Sequence, residues 1–175
     1  MSADSEIKEF WITMSIREIS TQAHFAEIAY INIDPKAKNN NDVVFSSIHS
    51  FLSHCANVSK MLAAKDDGVQ SATIGDILGV PKNSIIHNRK FRNNLEHYDE
   101  RLKKWIKQIG INANIGTCNI GPKSRINASM VFISHYDPTD NTFTFVNESF
   151  DLGKMYEEVV KIKTKADCGV RTEKG

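Results

Sequence analysis

Phe91-Arg92-Asn93-Asn94-Leu95-Glu96-His97-Tyr98-Asp99-Glu100-Arg101-Leu102-Lys103-Lys104-Trp105 decides how the chain is read. Phe91, Leu95, Tyr98, Leu102, Trp105 and, just beyond, Ile109 recur at steps of three and four. That is the period of a helix with one buried stripe. Arg92, Asn93 and His97 lie off the stripe, and these are groups that can hold a phosphate and move a proton. The spacing predicts a helix ending near Gln108, with Gly110 past its end and Lys103, Lys104 and Lys107 at its negative pole.

Charge is distributed unevenly around this stretch. Residues 82–107 carry eight basic and three acidic groups, whereas residues 1–34 carry two basic and six acidic ones. The net charge is only +1, so the molecule as a whole has no pull towards nucleic acid. An anion site therefore belongs near the central helix, unless the two segments merely attract each other.

The length of 175 residues and an apolar fraction of 41% suit one soluble domain with its own core. Cys55, Cys118 and Cys168 are odd in number and lack metal-ligand spacing, which fits a reducing compartment. With no signal-peptide pattern and no run that spans a bilayer, a cytoplasmic protein without membrane contact is expected. No cofactor and no metal site are expected. His49 and His54 are five apart, so they do not share a helix face as a two-histidine metal site requires.

Working outward, residues 5–33 read as a long first helix stopped by Asp34-Pro35. Residues 43–64 read as a second helix capped by Asp42, forming an antiparallel pair with the first. Residues 73–84 resemble half of a helix-turn-helix, but a short capped helix leading into the central one is preferred, because an amphipathic central helix needs a packing partner. Residues 110–128 read as a loop in which Cys118 is a buried thiol. Residues 130–136 and 142–146 read as a hairpin turning at 137–141, with His135 a strand residue without a chemical task. Asp151 caps a last helix whose final apolar residue is Ile162, and residues 166–175 read as a mobile tail. The expected fold is thus mainly α: one domain, an antiparallel helical bundle over 5–109, then loop, hairpin and final helix over 110–165.

Arg92-Asn93 followed by His97 resembles the signature of the HEPN superfamily, an arginine and a polar residue with a histidine four to six positions on. The resemblance covers about residues 5–109. The wider pattern, including Leu52-Ser-His-Cys-Ala-Asn-Val-Ser-Lys60 and Asn119-Ile-Gly-Pro122, also resembles a group of uncharacterised bacterial proteins. Members of the superfamily are mostly small helical bundles, many of them homodimeric, metal-independent ribonucleases of toxin–antitoxin and phage-defence systems. The resemblance implies Arg92, Asn93 and His97 as catalytic residues, RNA as substrate, a homodimer, and an antitoxin or other partner protein. Arg89, Lys90, Arg101 and Lys104 would guide the RNA strand. On one helix Arg92 and His97 stand about 140° apart, so a second copy across a two-fold axis is the simplest way to bring them together. The alternative is a non-catalytic protein holding a nucleotide or a partner on the same ridge. A duplex-DNA binder using residues 73–95 is a weaker one.

Overall fold

The computed structural model describes residues 3–36, 41–65, 72–88, 93 and 96–171. Helix α1 (Ala3–Ile31) lies between α2 (Asn41–Leu62) and α5 (Leu152–Arg171). Both neighbours run antiparallel to it. Gln22 and Tyr30 of α1 meet His54 and Phe51 of α2, while Ser20 and Tyr30 meet Asp167 and Tyr156 of α5. Ala23 and Ala26 are fully buried on α1, and small side chains let two helices approach the same rod. The apolar residues of α1 are spread around its axis rather than gathered in one stripe. Ile7, Phe10 and Ile31 are consequently left 67%, 67% and 70% exposed.

The sheet is where the fold departs from the expected architecture. The described residues do not form a helical bundle carrying a hairpin. They hold a four-stranded mixed sheet of β1 (Asn114–Ile120), β2 (Met130–Asp137), β3 (Thr142–Phe145) and β4 (Glu148–Asp151), in that order. The expected hairpin is its centre, β2 and β3. The segment read as a loop supplies β1, which pairs parallel with β2, Asn114 opposite Met130 and Ile120 opposite Tyr136. Strand β4 adds an antiparallel edge, with Phe143 opposite Phe150. Tyr136, Phe143, Phe145 and Phe150 are buried in the same core as Phe45, Ile48 and Phe51 of α2. Thr144 and Ser149 alternate with them and bond to each other at 2.8 Å.

Three local devices fix the joints. Short helix α3 (Ile74–Ile77) carries a capping box, the Thr73 hydroxyl accepting from the Asp76 amide and the Asp76 carboxylate from the Thr73 amide. A fully buried Ile86 in the 3-10 turn Ile85–His87 follows it, so a capped helix leading onward is correct and no recognition helix occupies 84–88. At the β2–β3 turn, Asn141 takes φ 57°, a region asparagine tolerates, and ties three elements. Its amide donates to the Tyr30 hydroxyl (2.6 Å), its side-chain oxygen accepts from Tyr136 (2.9 Å), and its carbonyl accepts from the Leu152 amide (3.1 Å). Asp151 ends β4 and accepts from the Lys154 amide at 2.9 Å, acting as the cap expected for α5.

Helix α5 continues through Arg171 rather than fraying at 166. Ala166 is fully buried and Asp167 accepts from Ser20, so packing on α1 holds the first part of the segment expected to be mobile; residues 172–175 lie outside the described residues. Cys118 is exposed on the edge strand, not buried, because β1 has a neighbour on one side only. Partial burial nevertheless pushes its thiol above the ordinary value, with the Asp42 charge adding to the effect. No helix among the described residues is long and apolar enough to cross a membrane.

Candidate functional site

Helix α4 (Tyr98–Ile109) is the described part of the central helix. Asn93 and Glu96 before it are also helical. His97 has φ −121° and ψ 39° and stands as its N-cap residue, although its amide still donates to the Asn93 carbonyl at 2.9 Å. Gly110, with φ 79°, ends it as expected. Tyr98 and Trp105 of the apolar stripe face the sheet. Tyr98 stacks on Phe145 of the sheet, with centroids 4.5 Å apart and planes 25° apart. Trp105 is 3% exposed yet lies outside the main core cluster, buried between the helix and the sheet.

Of the expected site residues, Arg89, Lys90 and Arg92 lie outside the described residues, as does Asn94 beside them. Asn93 is half-buried one turn before His97. His97, Arg101 and Lys104 follow one another at steps of four and three, so the helix places them on one side. The His97 ring is open to solvent, with Nδ1 3.7 Å from the equally open Glu100 carboxylate. Glu96 reaches Lys60 on α2 at 2.5 Å, which ties the approach to α4 onto the second helix. Arg101 and Lys104 border a small notch of about 160 Å³ that Trp105, Val146 and Asn147 also line.

Beside the notch lies something the sequence did not suggest. A cleft of about 380 Å³ lies between α4, the outer face of the sheet and the 126–128 segment, and the same Trp105, Val146 and Asn147 form part of its wall. Phe132 forms another part. It lies across β1 at Gly116, where an added Cβ would sit 2.4 Å from the ring, so only glycine allows this placement. Val146, first residue of the two-residue β3–β4 turn, takes φ 58°, a strained conformation for a β-branched side chain.

His135 sits in this wall and is 5% exposed. Its Nδ1 lies 2.9 Å from the amide nitrogen of Asn119 on β1. With that amide donating, Nδ1 accepts and the ring hydrogen resides on Nε2. Nε2 is buried and has no hydrogen-bond partner among the described residues. Burial holds the His135 pKa below its ordinary value, outweighing the pull of the Asp137 carboxylate, so the ring is neutral. Burial acts to raise Asp137 itself. The Thr139 hydroxyl and the Lys123 and Thr139 amides that it accepts from nevertheless keep it low and charged. The same bond from Lys123 (2.7 Å) pins the 3-10 turn Lys123–Arg125 beside the cleft.

The chain therefore presents a basic helix side with an exposed imidazole, next to a cleft with an aromatic wall and one buried donor without a partner among the described residues. Sequence reasoning found the first and missed the second. It took Trp105 for a core residue and His135 for an idle one. The available signal was the alternation of Thr144 and Ser149 with buried aromatics, which leaves a second, polar sheet face needing a cover.

No family model, no curated protein and no solved structure matches the chain. The resemblance to the HEPN superfamily rests on the motif residues alone.

Proposed function

We propose that this protein binds single-stranded RNA along the His97, Arg101 and Lys104 side of α4 and cuts it without a metal ion. The observation that carries the reading is the placement of these three residues on one helix side, with Arg101 and Lys104 lining a notch together with Trp105, Gln108 and Glu148. Guanidinium and ammonium groups hold phosphates. An imidazole in reach of a 2′-hydroxyl removes its proton, the oxygen attacks the adjacent phosphorus, and the 5′-oxygen leaves after taking a proton. The products are a 2′,3′-cyclic phosphate and a 5′-hydroxyl end. Arg92 is the group this reading assigns to the developing phosphate charge, and a second copy of the chain would supply the second acid–base group.

The test is incubation of single-stranded RNA with the protein in EDTA. Wild type yields cyclic-phosphate ends, His97→Ala and Arg92→Ala do not, and light scattering reports a dimer. Arg101→Ala with Lys104→Ala weakens binding and flattens the dependence of log affinity on log salt by about 0.7 per lost phosphate contact. RNA neither bound nor cut by the wild type overturns the proposal.

Binding without cutting is the second reading. One observation favours it: the charged group beside the open His97 ring among the described residues is the Glu100 carboxylate, 3.7 Å away and 75% exposed. RNA retained on the protein and left intact selects this reading.

A further inference from the structure

The cleft beside α4 holds a donor without a partner among the described residues. Folded proteins pair nearly all buried polar atoms, and a buried exception calls for a ligand, an ion or a water. Here the exception is His135 Nε2, in a ring that is 5% exposed. The ring is held from behind by Asn119, so the hydrogen is fixed in direction as well as unpaired.

The surroundings narrow the ligand. Phe132 is an aromatic wall, Trp105 (3% exposed) adds only an edge, Thr144 and Ser149 place paired hydroxyls on the sheet face, and Asn147 contributes an amide. A volume of about 380 Å³ is at the small end of ligand pockets, which begin at about 300 Å³. An aromatic wall suits a flat ring, and a single in-plane donor suits a ring with an acceptor at its edge. The imidazole supplies no charge, and Lys123 is the cation among the residues lining the cleft. The notch with Arg101 and Lys104 shares Trp105, Val146 and Asn147 with the cleft, which provides for an anionic group attached to that ring.

We propose that this cleft is a nucleobase site: one base lies against Phe132 and accepts a hydrogen bond from His135 Nε2, with its phosphate towards Arg101 and Lys104. The proposal rests on the RNA reading in so far as it says where one base of the strand goes. It stands on different residues, however, and is testable with free nucleosides.

Adenosine, guanosine, cytidine and uridine, their 5′-monophosphates and inorganic phosphate are titrated by calorimetry. Trp105 fluorescence is followed in a Trp11→Phe background. At least one nucleoside binds and quenches Trp105. His135→Phe, with unchanged far-UV circular dichroism, weakens that nucleoside about tenfold or more, the worth of one well-made hydrogen bond. His135→Gln, which keeps a donor, recovers part of the loss. Arg101→Ala with Lys104→Ala weakens the monophosphates and leaves the nucleosides unchanged. The proposal is overturned if no nucleoside binds, if His135→Phe binds as wild type does, or if L-tryptophan competes as well as the nucleosides do. RNA held equally by wild type and His135→Phe, without nucleoside binding, removes the base site and keeps the RNA reading. Absence of both kinds of binding removes both.

Discussion

Replacing His135 with phenylalanine separates a residue kept for a ligand from one kept for the fold. In the free protein the ring buries an N–H that has no partner among the described residues. Such a group costs about 1–3 kcal/mol. The substitution removes that penalty and also the bond from Asn119, worth about 0.5–1.5 kcal/mol. Asn119 is half-exposed on an edge strand and turns to water, so it is not itself stranded. The net expectation is a free protein more stable by about 1 kcal/mol at about pH 7.5. Acid widens the gap. Burial holds the His135 pKa below the unfolded value of 6.5. As pH falls through 6.5 the unfolded chain takes up a proton that the folded one refuses, and wild-type stability drops by up to ~1.4 kcal/mol per pH unit. The drop levels off once pH is below the folded pKa. His49 and His54 are shifted in the same direction by burial, so both proteins lose stability in acid, and their difference isolates residue 135. Urea unfolding followed by circular dichroism at about pH 7.5 and about pH 5.5 measures it. A variant less stable at neutral pH, with a gap that does not grow in acid, refutes the account of an unpaired neutral ring.

Two further perturbations test how the cleft and the sheet are held. Trp105→Ala removes the one fully buried side chain described on α4, at a cost of about 3 kcal/mol. Because Trp105 is outside the main core, hydrogen exchange should show α4 amides losing protection while those of α1 and α5 keep theirs; a uniform loss contradicts this. Asn141→Ala forfeits the bonds to Tyr30 and Tyr136 and puts a Cβ residue without a local hydrogen bond at φ 57°. It should destabilise by about 2–4 kcal/mol in denaturant unfolding, with Asn141→Gly recovering the smaller, conformational part.

Elements with a clear hydrophobic period or a clear stop or cap signal were legible in the sequence, α1 by its Asp34-Pro35 stop rather than by a stripe. Helices α1 and α2, the β2–β3 pair and the cap at Asp151 sit within a few residues of where apolar spacing and turn chemistry put them. Strand β1 was not legible. Asn114, Gly116, Thr117 and Asn119 carry no alternation because an edge strand is held by backbone pairing to β2 rather than by burying its own side chains. Missing that strand is what turned a mixed sheet into a lone hairpin and the whole into a bundle. The Tyr98, Leu102, Trp105 and Ile109 stripe was recognised, but period alone does not say whether a helix or a sheet receives it. His135 was unreadable for a related reason: its unpaired nitrogen is a property of what β1 and α4 bring around it.

The central position of α1 has a consequence for biosynthesis. One of its long sides is closed only by α5, through contacts such as Ser20 to Asp167, 147 residues apart in the chain. On a ribosome the first helix is made early and must wait, with Ile16 and Ile19 uncovered, until the last helix emerges. Contacts of such long sequence separation slow the final collapse. A growing chain of this topology is thus a natural client for chaperones that shield apolar helices.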